Sequence, residues 1–260
     1  YNSDISEFSR LYNIENDKLN KVKNKIEVIQ DQMTNKSSLA KGTKIIVENQ
    51  HLFKGYEGLV SELIQIDKDY IRAIEVVLSS AAQHIVVDEP ETATAAINFL
   101  KANNGGKATF IPLSSISPRF VAEQHIVVAQ TQEGFLGVAS ELVTTKKRYE
   151  VLKRFLLGNV LVCDTIESAV RLHSLLEKKY TVVTLDGDII RIGGVMTGGQ
   201  ASQTVSAFSL EDQIKELESF IQPLEKIIST LKEQISKLEF EKQTALSLII
   251  WQKKILMKLS

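Results

Sequence analysis

The strongest constraint on the fold of this 260-residue chain is a pair of heptad stripes, one at each end. The first runs through Ile5, Phe8, Tyr12, Leu19, Val22, Ile26, Ile29 and Met33, with Glu15 at the one polar step. The second runs through Leu210, Ile214, Leu217, Ile221, Leu224, Ile228, Leu231, Ile235 and Leu238. Steps of three and four alternate throughout. A stripe that narrow, kept over four heptads or more, is the seam of a coiled coil rather than the broad apolar face of a globular helix. Both stripes are tethered to the same intervening segment, so pairing within one chain is entropically favoured over pairing between chains. The chain enters along one helix and leaves along the other, which makes the pair antiparallel. Aligned at the central segment, Ile5 should lie near Leu238. Leu246, Ile249, Trp251 and Leu256 would then lack a partner, and a frayed or packed tail is expected there. Ser209 with Asp212 reads as the start of the second helix.

The segment between the stripes repeats itself. Gly55-Tyr56-Glu57-Gly58-Leu59-Val60-Ser61-Glu62-Leu63 matches Gly134-Phe135-Leu136-Gly137-Val138-Ala139-Ser140-Glu141-Leu142 as Gly-x-x-Gly-x-x-Ser-Glu-Leu. At equal separation from these, Tyr70 and Tyr149 open helical stretches that end at Leu78 and Leu157. Short apolar runs closed by aspartate follow, His84–Asp88 and Val160–Asp164. Second helices follow at Glu91–Lys101 and Ile166–Lys178, then further apolar runs at Ala108–Leu113 and Tyr180–Leu185. The unit is turn, helix, strand, helix, strand, read twice. Alternating strands and helices give an α/β layer architecture, and five matched elements in order point to duplication with an internal pseudo-twofold.

The second copy has an extension, Asp186-Gly187-Asp188-Ile189-Ile190-Arg191-Ile192-Gly193-Gly194-Val195-Met196-Thr197-Gly198-Gly199. Its Asp-Gly step between apolar runs is a hairpin signal. The glycine pairs admit three readings. A phosphate cradle needs amides leading straight into a helix, commonly with Gly-Lys-Ser/Thr, and neither is present. A plain turn uses glycine for positive φ. A strand edge stripped of side chains, against which another backbone can lie, is the preferred reading.

Other chemistry is thinly represented. Cys163 is the single cysteine, in the apolar run Val160–Cys163, and reads as a buried, inert thiol. His51, His84, His125 and His173 are scattered and make no metal-ligand cluster. Asp186 and Asp188 read as turn formers rather than a catalytic pair. No nucleotide-binding Gly-x-x-x-x-Gly-Lys occurs, so the segment is not expected to be an enzyme or to carry a cofactor. The formal net charge of -1 argues against a protein that coats nucleic acid over its whole surface. Local basic clusters exist at Lys36, Lys41 and Lys44, at Lys101 and Lys107, and at Lys146, Lys147 and Arg148 with Lys153 and Arg154. They suit phosphate contact or a solvated helix start. No aromatic residues interleave with them for base stacking. No apolar run approaches the roughly 18 residues needed to span a bilayer, and no signal peptide is apparent. The start at Tyr1, without Met, is expected of a piece of a longer protein.

Val-Thr-Leu-Asp-Gly-Asp (183–188), then Gly-Gly-Val-Met-Thr-Gly-Gly (193–199), with Ala-Thr-Phe-Ile-Pro-Leu (108–113) upstream, resembles the hinge domain of bacterial structural-maintenance-of-chromosomes (SMC) proteins of the condensin type. The resemblance covers residues 42–199, and the heptads match the flanking arms. Arg191-Ile192 stands where bacterial hinges often place Asn-Pro, which implies a less rigid turn. The resemblance implies an α/β hinge fold of two pseudo-twofold-related subdomains, 42–120 and 121–200, between coiled-coil helices at 1–35 and 208–260. It implies homodimerisation through two edge contacts, each joining the first subdomain of one chain to the second of the other, with a central opening. Gly193, Gly194, Val195, Met196, Gly198 and Gly199 fall at that interface, and aspartate at Gly194 or Gly199 should break it. The receiving edge is either the run ending at Phe110-Ile111 or Ile126-Val127-Val128. The resemblance further implies weak, non-specific contact with double- or single-stranded DNA, to which Lys101, Lys107, Lys146, Lys147 and Arg148 are assigned. A DNA-binding module with secondary dimerisation is the alternative. The whole protein is expected to be a cytoplasmic, nucleoid-associated ATPase with kleisin-type subunits, acting in chromosome condensation and segregation with no membrane partner.

Overall fold

A computed structural model of the chain describes residues 1–34, 39–199 and 207–259. The polar exit at 35–38, Lys36 with it, the linker 200–206 and the terminal Ser260 lie outside the described residues. The chain divides into a helical unit, Tyr1–Thr34 with Glu211–Ser260, and a central unit, Asn35–Leu210.

In the helical unit, α1 (Asn2–Thr34) packs along α10 (Ile221–Leu259), which follows α9 (Ala207–Ser219). Lys23 Nζ meets Glu225 Oε1 at 3.0 Å, while Ser9 and Tyr12 share a groove with Ile235 and Ser236, so the helices run antiparallel. Along α1 and α10 the expected stripes are the seam: Leu19, Ile26, Ile29 and Leu231 are buried, and the other described heptad positions of these two helices are half-buried. Three details differ from the sequence reading. Residues 246–259 are helical rather than frayed, although Leu246, Ile249, Trp251 and Leu256 are indeed exposed. The chain is already helical at Ala207, so Ser209 lies inside α9. The second stripe is carried on two helices, broken at Phe220. Pro223 has no N–H to offer the Ser219 carbonyl, and its ring would clash there. Phe220 N–H turns instead to the Leu217 carbonyl at 3.1 Å.

The central unit opens with α2 (Lys41–Glu48). The first copy of the repeat is β1 (Tyr56–Leu59), α3 (Val60–Leu63), β2 (Ile64–Ile66), α4 (Ile71–Leu78), β3 (Ile85–Val87), α5 (Pro90–Ala102) and β4 (Phe110–Pro112). A helix, α6 (Glu123–Gln130), precedes the second copy. That copy is β5 (Phe135–Val138), β6 (Val143–Thr145), α7 (Glu150–Leu157), β7 (Val160–Cys163), α8 (Ile166–Leu175) and β8 (Thr181–Thr184). β9 (Ile189–Ile190) and β10 (Met196–Thr197) complete the extension.

The duplication extends to strand pairing. β1-β3-β4 is one sheet and β10-β9-β8-β7-β5 another. In both, the opening strand of the copy (β1 or β5) is antiparallel to the middle strand (β3 or β7), which is parallel to the next (β4 or β8). Both first strands carry an irregularity, between Tyr56 and Gly58 and between Phe135 and Gly137. The Gly-x-x-Gly motif, read from sequence as a turn, is therefore a bulged strand. Gly58 and Gly137 sit at φ +138° and +146°, which side chains disfavour. The leading glycines leave room for the closing aspartates: a Cβ on Gly55 would lie 1.8 Å from Asp88 Oδ1, and one on Gly134 2.4 Å from Asp164 Oδ1. β2 and β6 pair with each other, and Gln65 lies opposite Thr144, its counterpart in the other copy. The pseudo-twofold axis passes through that pair.

Successive residues of a buried strand face opposite layers. Val86 of β3, with Val160 and Val162 of β7, faces a central core shared by both copies, with Ile74, Leu152 and Val183. Ile85 and Val87 face an outer core under α5 with Ile46 and Leu100. Leu161 and Cys163 face the other outer core under α8 with Leu172 and Val182. α4 of the first copy packs on β8 of the second.

Candidate functional site

The extension forms two successive hairpins. Gly187, at φ +88°, turns β8 into β9, with Val182 opposite Ile190 and Val183 opposite Ile189. The second turn brings β10 back along β9, with Met196 opposite Ile190 and Thr197 opposite Ile189. Arg191 N–H donates to the Val195 carbonyl at 2.8 Å and Gly194 N–H to the Arg191 carbonyl at 2.9 Å. Gly193 and Gly194 have φ +88° and +105°. For this pair the plain-turn reading holds. Gly198 and Gly199 follow β10. Asp188 Oδ1 accepts the Gly199 N–H at 3.0 Å, and a Cβ on Gly198 would lie 2.3 Å from that oxygen. Asp188 is thus a turn former, as read, and also ties down the end of β10.

β10 is the outer strand of its sheet. In an antiparallel ladder, hydrogen-bonded and non-bonded pairs alternate. Arg191 and Val195 bond, so Ile190 and Met196 form the non-bonded pair, and the Met196 N–H and C=O point away from β9. Around this open edge Ile192, Val195 and Met196 are 58%, 67% and 53% exposed. A row of unpaired backbone groups beside exposed apolar side chains is a template for another strand. The first copy has no extension, so β4 is the outer strand of its own sheet. Of the two sequence candidates for a receiving edge, Phe110-Ile111 lies on that strand. Ile126-Val127-Val128 does not form a strand: it lies in α6, where Ala129 is buried, Ile126 packs on the outer core and Val127 is exposed. Only Ile126 of the three turns inward; Val127 and Val128 are exposed on a helix, which offers no sheet edge.

Family models and known proteins place this architecture. The model for the SMC proteins Flexible Hinge Domain matches residues 53–173. The crystal structure of an asymmetric dimer of the Geobacillus stearothermophilus SMC hinge domain is 31% identical, with a TM-score of 0.85 over 93% of this chain and 98% of that one. This chain belongs to the SMC hinge family. The Chromosome partition protein Smc of Mesomycoplasma hyorhinis is 42% identical over 84% of this chain, and that of Bacillus subtilis 37% identical over 75%. The chain spans 22% and 16% of those two proteins' lengths. The expected hinge fold, with its duplicated α/β unit and flanking antiparallel helices, is what the chain adopts.

The basic residues of this SMC hinge fall into separate places. Lys101 lies in the last turn of α5, and Lys107 lies in the loop before β4; both are exposed. α2 packs on α5, and the Lys107 carbonyl lies so close to Gly42 that a Cβ there would sit 2.2 Å away. That brings Lys41 of α2 beside this loop, where its Nζ donates to the Asn104 carbonyl at 3.0 Å. Lys146 and Lys147 are exposed before α7 and make no ion pair among the described residues. Arg148 differs: it is ion-paired with Glu57 of β1, whose other oxygen accepts the Tyr149 hydroxyl at 2.7 Å. Burial, then the Glu57 contact, raises the Tyr149 phenol. Lys153 and Arg154 both meet Glu150, at 2.9 and 3.8 Å. Sequence spacing gave no sign of the Glu57 contact, because its partners are 91 and 92 residues apart. It also hid an aromatic association: Arg119 stacks 4.6 Å over Phe155, and Arg154 5.5 Å over Phe120.

Cys163 is fully buried, and burial, with Asp164 nearby, pushes its thiol up to about 12. Among the described residues no group of three or more His, Cys, Asp or Glu could hold a metal ion, and no helix is long and apolar enough to cross a membrane.

Proposed function

We propose that this chain is the homodimerisation hinge of a chromosome-partition SMC protein, and that two copies join through their open sheet edges. One observation carries the reading: the second copy of the repeat ends in β10, an edge strand open on one side and flanked by exposed Ile192 and Val195, and the first copy ends in an outer strand, β4. β10 of one chain adds to β4 of its partner, and the reciprocal contact forms on the other side. Gly193 and Gly194 set the hairpin, Val195 and Met196 supply apolar contact, and Gly198 and Gly199 keep the strand's exit free of side chains. Two separate contacts leave a central opening and let one release while the other holds. The Geobacillus stearothermophilus hinge, described as an asymmetric dimer, supports the reading.

In the whole protein the paired arms form a ring or rod that entraps DNA. Its ATPase parts lie beyond this segment, kleisin-type subunits bind there, and the assembly is cytoplasmic and nucleoid-associated. The hinge adds weak, non-specific DNA contact through Lys146 and Lys147 and through Lys101 and Lys107. Arg148, neutralised by Glu57, contributes less than its neighbours.

Inter-chain crosslinking tests the edge assignment. Phe110→Cys and Met196→Cys, made in separate chains and mixed, should give a covalent heterodimer with a short bismaleimide, while neither variant alone crosslinks to itself. Buried Cys163 stays silent. Efficient self-crosslinking of Met196→Cys alone, with no mixed product, would instead place β10 against β10.

A further inference from the structure

The turn that presents β10 is held from below by α8. His173 is buried in the last turn of α8, at 4% exposure. Its Nε2 lies 3.2 Å from the Arg191 carbonyl oxygen. A carbonyl can only accept, so Nε2 carries the proton. The same carbonyl accepts the Gly194 N–H. Beyond α8 the chain turns sharply through two consecutive left-handed residues, Glu177 (φ +55°) and Lys178 (φ +59°). Neither is glycine, and such backbone costs energy that its surroundings must hold in place. Here Lys178 N–H donates to the His173 carbonyl at 2.9 Å, and the Lys178 carbonyl accepts the Gly193 N–H at 3.1 Å. The loop closes: the His173 ring holds Arg191, the His173 carbonyl holds Lys178, and Lys178 holds Gly193. A Cβ on Gly194 would touch both His173 Cε1 and the Lys178 side chain at 4.0 Å, so the turn rests directly on this support.

The arrangement belongs to the copy that bears the hairpin. Counted from the strand-closing aspartates, Asp88 and Asp164, the place of His173 is taken in the first copy by Ile97, which is 39% exposed, and no hairpin follows β4.

We infer that His173 is a positioning residue for dimerisation: through its Nε2–H and the left-handed Glu177–Lys178 turn it latches the Gly193–Gly194 hairpin so that β10 presents a fixed edge. The inference rests on the hinge-dimer reading. It also explains how a turn with Arg191-Ile192 keeps its shape without a proline: the support is tertiary rather than local.

His173→Leu keeps volume and burial but removes the donor, whereas His173→Gln returns an amide N–H near the Nε2 position. The full chain is compared as wild type and both variants by two readouts. One is residue-level hydrogen exchange over 189–199 and over β7, and the other is the dimer dissociation constant by sedimentation. In His173→Leu the Gly193 amide should exchange about tenfold faster and the dissociation constant should rise about tenfold, the factor set by one net hydrogen bond. β7 should exchange as in wild type, and His173→Gln should recover most of both effects. Unchanged Gly193 exchange in His173→Leu would overturn the latch, as would β7 and the hairpin losing protection equally, or His173→Gln behaving as Leu. Faster Gly193 exchange at an unchanged dissociation constant would refute the link to dimerisation. A monomeric wild type would instead sink the dimer reading, with the latch still decided by the Gly193 amide.

Discussion

Leu152→Ala tests whether the two copies of the repeat are one folded body. Leu152 lies in α7 of the second copy, fully buried, yet it shares the central core with Val86 of β3 and Ile74 of α4 in the first. Truncating it removes the transfer energy of the lost carbons and leaves a cavity that close-packed neighbours fill only partly, about 3 kcal/mol within the usual range for leucine. For a folded unit of this size each kcal/mol lowers the melting temperature by about 3 °C, so a drop of about 9 °C is expected. Calorimetry measures the drop. Native-state hydrogen exchange then shows how it is shared: amides of β3 and β7 should lose protection together, because both strands turn one face into that core. Loss confined to β7, with β3 unchanged, would refute the shared core. The functional consequence is definite. If the copies fold as one body, opening of the proposed dimer would separate the two chains, not the two halves of one chain.

Other outcomes follow from single residues. Cys163 should resist iodoacetamide at pH 8 in the folded chain, since its thiol is raised to about 12, and should label only at the rate of unfolding; rapid labelling would contradict its burial. Burial pushes the Glu75 carboxyl of α4 up to about 7. The folded state therefore holds a proton that the unfolded chain releases near its ordinary value of 4.5, and stability should fall as pH rises from about 4.5 to 7 and then level. Glu75→Gln should flatten that part of the denaturation profile. Lys146→Glu with Lys147→Glu should weaken binding to mixed-sequence DNA and shrink its salt dependence, while Arg148→Ala should do less, because Arg148 is already paired with Glu57; equal effects would return Arg148 to the DNA surface.

Sequence disclosed most where the pattern is local or periodic. The heptads fixed both arms because a seam needs nothing but spacing. α4 and α7 begin one residue after Tyr70 and Tyr149 and end at Leu78 and Leu157, as read. The Asp186-Gly187 step is the hairpin turn it looked like. The misreadings share a cause, a tertiary influence that overrode the local signal. Gly-x-x-Gly looked like a turn, but its glycines serve a bulge and the room needed by Asp88 and Asp164. Ile126–Val128 looked like a strand edge, yet it lies in α6, where Ile126 packs inward and Val127 and Val128 face outward. α8 stops at Leu175 rather than Lys178: Glu177 and Lys178 adopt left-handed backbone, Lys178 N–H closes back on the His173 carbonyl, and its own carbonyl takes the Gly193 N–H of the hairpin. The unbroken stripe through Ile221 and Leu224 concealed the interruption at Phe220, since a heptad records side chains and not the missing amide of Pro223. The open edge at β10 was anticipated from its glycines, but its support was not: His173 looked like one scattered histidine, and only its contact with Arg191 gives it a role.

The glycine variants expected from sequence to break the dimer have a drawback in the structure. Gly194 and Gly199 sit at φ +105° and +117°, so aspartate there strains the hairpin itself. Met196→Pro is cleaner. It deletes one backbone N–H that faces away from β9, and proline is tolerated where the lost donor lies on an open edge. The most direct test of the account is the solution mass of the wild-type chain and of Met196→Pro by light scattering, with circular dichroism as the check on folding. The account predicts about twice 29.0 kDa for the wild type and about 29.0 kDa for a folded Met196→Pro. A wild-type monomer, or a Met196→Pro chain that remains as tight a dimer as the wild type, would contradict it.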